Sequence, residues 1–265
     1  MSHEPPAKMT SVKAAFVHDE MNAKCRHTME DAHCVVDNFN NDPKQGFFGV
    51  YDGHGGRGIV DFVAEHYHQN FLQELNFDGE RSVADCVTSA YLITDIQSRK
   101  AGLMSSGSTA VTAFLQHKNG RRFLHVANVG DARAVLSHKG KAVRLTYDHK
   151  ATDPKEQKRI EEAGGFVLRG RVLGILAVAR SFGDHGLKQF VSARPHITIT
   201  EVTPEHDFIA LCCDGVFDVM EDDDVVEFIR ENSKNGPNPK ISQMLVEEAL
   251  KRRSTDNITA LVVYL

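Results

Sequence analysis

The chain has 265 residues, a formal charge of -5 and charged side chains at 25% of positions. That length suits one sizeable core or two small domains, and the acidic balance leaves no electrostatic footprint for nucleic acid or an anionic membrane. Five cysteines without a CxxC spacing exclude a disulfide framework and a cysteine-rich zinc site.

The start, MSHEPPAKMT, lacks a signal-peptide pattern and has Ser2 where myristoylation needs glycine. The longest apolar run, Val172–Ala179, is too short to cross a bilayer. A soluble chain in a reducing compartment is expected, in the cytoplasm, with the nucleus open as a second location. Residues 1–12 are expected to form a disordered or weakly ordered arm and 13–265 a single domain.

Lys13–His18 has the composition of a first strand. Arg26-His27-Thr28-Met29-Glu30-Asp31 then leads into the apolar Cys34–Val36. A guanidinium beside two carboxylates reads either as a surface ion pair or as an anion clamp, Arg26, next to a cation ligand, Glu30 or Asp31. Phe47–Tyr51 is apolar, aromatic and β-branched, a buried strand expected to stop at Asp52. Gly53, His54, Gly55 and Gly56 follow. They form either a turn whose Asp caps the next helix or a site where backbone approaches a ligand closely.

Ile59, Phe62, Val63, Tyr67 and Phe71 recur at helical spacing over Gly58–Leu75. A second helix over Val83–Lys100, capped by Ser82, would pack against it. From Gly107 the period becomes two, giving strands over Thr109–Gln116, Arg122–Val129, Ala132–Ser137 and Lys141–Leu145, with Gly130-Asp131 in one tight joint. Asp153-Pro154-Lys155-Glu156 starts a helix that Gly164-Gly165 ends. Gly170–Gly186 is broken by glycine and suits a flap. Phe208–Cys213 is a buried strand ending in Asp214-Gly215. Helices over Val225–Arg230 and Ile241–Arg252 and a strand over Ile258–Leu265, preceded by Asp256-Asn257, close the chain.

Two strands that end in Asp-Gly, with a third Asp at the mouth of another, bring three carboxylates to one cleft, and Glu30 adds a fourth. Such charges raise one another's pKa unless a cation compensates them. Oxygen-only ligation selects Mg²⁺ or Mn²⁺, and two ions about 3.5–4 Å apart are a recurring device for gripping phosphate.

The motifs RxxMED (Arg26–Asp31), VYDGHGG (Val50–Gly56), SGSTA (Ser106–Ala110), NVGDAR (Asn128–Arg133), LAVARSFGD (Leu176–Asp184), CDGVFDVM (Cys213–Met220) and DNIT (Asp256–Thr259) stand in this order along nearly the whole chain. The sequence thereby resembles the metal-dependent serine/threonine protein phosphatases of type 2C. The resemblance implies an α+β fold, a four-layer α-β-β-α sandwich of two antiparallel sheets with helical pairs outside. It implies hydrolysis of phosphoserine and phosphothreonine in proteins by a water bridging two divalent cations, Mn²⁺ or Mg²⁺, with a weaker third. By motif, Asp52, Asp214 and Asp256 would ligate one ion. Glu30, Asp52 and the Gly53 carbonyl would hold the other, with Asp31 reached through water. Asp131 with Asp214 matches the third site, Arg26 would bind the phosphate, and His54 would be the general acid. The partners implied are phosphoprotein substrates, with no nucleic acid, no membrane insertion and a monomeric chain. Ala179 stands where the family usually has Ser, His196 where it usually has Asp, and the segment Val167–Arg171 is short. The alternative is a phosphatase-fold module that binds partners without catalysis, but such a module would be expected to lack a ligand.

Overall fold

The computed structural model describes residues 9–77 and 79–265. In chain order its elements are β1 (Ala14–Glu20), β2 (Asp31–Asp37), β3 (Gly46–His54), α1 (Gly58–Asn76), α2 (Val83–Lys100), β4 (Gly107–Ser108), β5 (Ala110–Lys118) and β6 (Arg121–Val129). There follow β7 (Arg133–His138), β8 (Lys141–Arg144), α3 (Pro154–Glu162), β9 (Val167–Leu168), β10 (Arg171–Val172), β11 (Phe182–Gly183) and β12 (His196–Val202). The chain closes with β13 (His206–Cys212), α4 (Asp214–Phe217), α5 (Asp222–Glu231), α6 (Ile241–Lys251) and β14 (Ile258–Tyr264).

Of the two large sheets, one has the order β1-β14-β13-β7-β8 and the other β11-β4-β3-β5-β6-β12 with β2 also paired to β3, while β9 and β10 pair separately. Every strand pairing within them is antiparallel. Alternation along each strand explains the layers. Phe48 and Val50 of β3 face inward with Val111, Ala113 and Leu115 of β5, against Leu211 of β13 and Leu261 and Val263 of β14. Phe47 and Tyr51 face the other way, onto Val63, Tyr67 and Phe71 of α1 and Tyr91 of α2. Ala210, Ala260 and Val262 pack outward against Val226 and Ile229 of α5 and Leu245 of α6. With both faces covered, these strands read in sequence as unbroken apolar runs. Each fully buried Phe contributes roughly 1.5–3 kcal/mol, so Phe47 and Phe48 seat β3 firmly. The expected four-layer α-β-β-α arrangement is what forms.

Local signals act as the sequence suggests. Ser82 accepts from the Asp85 amide at 3.1 Å. Asp153 caps α3 through the amides of Lys155 and Glu156 at 3.0 and 3.1 Å, with Pro154 at the first helical position. Of the arm expected over 1–12, residues 1–8 lie outside the described residues. Thr10 and Ser11 are tied to Asp37, and Val12 is buried in the central core.

Two differences bear on the site. The strand expected to stop at Asp52 runs on through His54, because Gly53 and His54 pair with Ser108 and Gly107 of β4. A side chain at Gly53 would collide with the Glu30 carbonyl and Val60, so glycine here admits a close approach and the strand continues. The turn comes later, at Gly55 and Gly56, with φ of 71° and 114°. Second, the chain after the flap forms β12, an edge strand on β6 that the sequence reading omits. Its alternation, HITITEV, gives a thin apolar signal: Ile199 and Glu201 are exposed, and half-buried Thr198 and Thr200 occupy the other face.

Candidate active site

Pairing geometry brings the carboxylates to one end of the sandwich. Asp52 and His54 are two apart on β3 and share a face, while the β2–β3 register sets Asp31 opposite Asp52. In the other sheet Cys212 at the end of β13 is flanked by Ala260 of β14 and Arg133 of β7. The residues just beyond those positions are Asp214, Asp256 and Asp131, one from each joint. Sheet contact across the central core then sets the two groups facing one another.

The electrostatics record that crowding. Burial and the charges of Asp214, Asp31, Asp131 and Asp256 push Asp52 well above the ordinary carboxylate range. Asp214 is pushed up to about 8, by burial first and then by Asp131 and Asp256. Burial also raises Asp31 to about 6, against the hydrogen bond from Thr259 Oγ1 at 2.7 Å. Asp131 is raised by burial, partly offset by Lys150, whose Nζ lies 3.7 Å from Asp131 and 3.8 Å from Asp218.

Around this centre, Glu30 accepts from Thr28 Oγ1 at 3.0 Å and from the Gly56 amide at 3.2 Å. Its own amide donates to Asn257 Oδ1 at 2.9 Å, and its carbonyl accepts from the Gly53 amide at 3.1 Å. Asn257 also donates to the carbonyls of Met21 and Thr28, so it sews the Arg26–Asp31 segment to the start of β14. Arg26, half-exposed, donates to Asp256 and to the Thr255 carbonyl. His54 Nε2 is bonded to Asp184 Oδ2 at 2.8 Å.

Thus all the candidate residues meet in one region. Among the described residues, no group of three acidic, histidine or cysteine side chains is gathered tightly enough to hold an ion. Asp256 is instead turned to Arg26, and Asp131 to Lys150. The donor set nonetheless suits a hard cation. Oδ1 of buried Asp31 has no partner among the described residues, and every influence named for Asp52 and Asp214 opposes their charge. The sequence reading assigns no role to Asp184, Lys150 or Asn257. Asp184 and Asn257 stand inside recognisable motifs, but nothing local pairs either with a residue so remote in the chain.

A sequence model of the family described as "Protein phosphatase 2C" matches residues 16–258. The chain belongs to the protein phosphatase 2C family. It is similar to protein phosphatase 2C homolog 1 of Schizosaccharomyces pombe, at 39% identity over 98% of this chain and 75% of that one. With protein phosphatase 2C homolog 1 of Saccharomyces cerevisiae it shares 38% identity over 94% and 92% of the two chains. A solved serine-threonine phosphatase 2C from Toxoplasma gondii superposes with a TM-score of 0.76 at 25% identity, covering 94% of each chain. A sex-determining protein of C. elegans, 24% identical, shares the fold with a TM-score of 0.84 over 95% of this chain and 64% of that one. The chain is therefore a protein phosphatase of a metal-dependent serine/threonine family that generally uses Mg²⁺ or Mn²⁺. Among the described residues no helix is long and apolar enough to cross a membrane.

The raised carboxyls carry a stability consequence. In the folded, metal-free protein Asp214 keeps its proton up to about pH 8, whereas in the unfolded chain it loses it near 3.8. Between those values the native state binds more protons, so this group's contribution to stability falls as pH rises. Asp214→Asn is therefore expected to raise the melting temperature of the metal-free protein, by more at pH 8 than at pH 5. Thermal melts of both forms in chelator decide it. A shift independent of pH, or growing toward acid, would contradict the assignment.

Proposed function

We propose that this chain hydrolyses phosphoserine and phosphothreonine in proteins with two divalent cations, Mg²⁺ or Mn²⁺. Asp52, Asp214 and Asp256 would hold one ion; Glu30, Asp52 and the Gly53 carbonyl would hold the other, with Asp31 behind them. Asp131 with Asp214 fits a weaker third. When bound, such ions acidify water and neutralise phosphate charge. The observation that carries the reading is the convergence of uncompensated Asp52 and Asp214 from the two sheets.

The remaining work belongs to side chains. Arg26, now paired with Asp256 at the rim, exchanges that carboxylate for two oxygens of the substrate phosphate, which its planar fork matches. Water attacks phosphorus opposite the substrate oxygen, and His54, on the Asp52 face of β3, gives that oxygen its proton as the bond breaks. No covalent phosphoenzyme is required.

The test compares two leaving groups. Wild-type protein with Mn²⁺ should release inorganic phosphate from a phosphothreonine peptide; binding without release would favour the non-catalytic module. A serine or threonine oxygen leaves poorly without a proton, whereas p-nitrophenolate leaves without one. His54→Gln should slow the peptide by about 10²–10⁴-fold, the range of general acid catalysis, and p-nitrophenyl phosphate far less. Equal losses would remove His54 from the acid role.

A further inference from the structure

The His54–Asp184 bond is built into the fold from several sides. The Asp184 carboxylate is held below the usual range, since the His54 and Ser181 hydrogen bonds and Lys188 outweigh its burial. An ionised carboxylate only accepts, so the proton of the 2.8 Å contact lies on Nε2 of His54. Ser181 Oγ donates to the same Oδ2 at 2.5 Å, and the Asp184 amide donates to the Ser106 carbonyl at 3.0 Å. The Asp184 backbone is left-handed, with φ 48° and ψ 39°, a conformation that Asp tolerates better than most residues. Beneath the pair lies Gly107, where a Cβ would collide with both Asp184 Oδ2 and His54 Nε2. Preceding Asp184, buried Phe182 stacks on Tyr91 at 4.9 Å. Only 12% of the Asp184 side chain is exposed, against 30% for His54. The bond to Asp184 is the ring's one hydrogen bond among the described residues, so Nδ1 is the free nitrogen.

We propose that Asp184 is the positioning residue for His54, fixing Nε2–H and thereby presenting Nδ1 to the leaving oxygen of the phosphorylated side chain. This rests on the acid role of His54 given above. In the step the ring acts as its imidazolium form, protonated on both nitrogens. The Nδ1–H bond breaks as an O–H bond forms on the serine or threonine oxygen, leaving the neutral Nε2–H ring. That oxygen takes the electrons of its broken bond to phosphorus. The Nε2 proton stays on its nitrogen, shared with Asp184, throughout. Asp184 acts through the His54 ring, its partner at 2.8 Å.

A double-mutant cycle measures this coupling. Asp184→Asn should lower kcat on the phosphothreonine peptide by about 10²-fold, the low end of what general acid catalysis supplies. KM, and turnover of p-nitrophenyl phosphate, should change little. On the His54→Gln background the same substitution should cost nothing more. Multiplicative losses, or equal losses on both substrates, would overturn the Asp184 role while leaving His54 its own. If His54→Gln alone slows both substrates equally, the acid reading falls, and this role with it. Should Asp184→Asn not fold, nitrogen-15 NMR of the wild-type histidines with Mg²⁺ decides instead. The neutral ring is expected as the Nε2–H tautomer, and an Nδ1–H tautomer would overturn the proposal.

Discussion

Asp52→Asn is expected to lower turnover by roughly 10³-fold or more, the scale of removing a preorganised charge from an active site. Asp52 stands between the two sheets' carboxylates, and its pKa is raised first by burial and then by four neighbouring aspartates. It is the one side chain that the two principal ligand sets of the proposal share. Asparagine keeps the shape but not the charge, so affinity for Mn²⁺ falls with activity. The fold should survive: β3 pairs through its backbone, and its inward and outward side chains, Phe48, Val50, Phe47 and Tyr51, are untouched. Steady-state phosphate release, circular dichroism and calorimetric Mn²⁺ titration separate these effects. Near-normal turnover with near-normal affinity would show that Asp52 is not a metal ligand.

Much of this architecture was legible because its signals are local. The Ser82 and Asp153 caps, the helical stripe from Ile59 to Phe71, and the apolar runs of β3, β13 and β14 each reflect short-range chemistry. Asp52, Asp214 and Asp256 stand out because acidic residues at strand ends are poorly explained by packing. β12 was not legible, since an edge strand with Ile199 and Glu201 exposed and two half-buried threonines on the other face carries a thin apolar signal. The end of β3 was misjudged because glycine is read locally as a strand breaker. Only the tertiary approach of the Glu30 carbonyl shows why glycine is needed within the strand. The partnerships of His54 with Asp184, Arg26 with Asp256, and Lys150 with Asp131 join motifs remote in the chain or on separate loops. Sheet register and sandwich closure create them, and no spacing rule encodes them.

Withdrawal of metal should abolish turnover altogether, and its return should restore it. Mg²⁺ or Mn²⁺ held by a few carboxylates and several waters is held loosely, so chelation and dialysis should strip the protein without unfolding it. Protonation of the raised aspartates then relieves their repulsion in the empty centre. The measurement is phosphate release from a phosphothreonine peptide by the stripped protein, before and during titration with Mn²⁺. The expected result is no release without metal and recovery that saturates as Mn²⁺ is added, with Asp52→Asn failing to recover in the same range. Full turnover by the stripped protein would contradict the proposed metal-dependent mechanism.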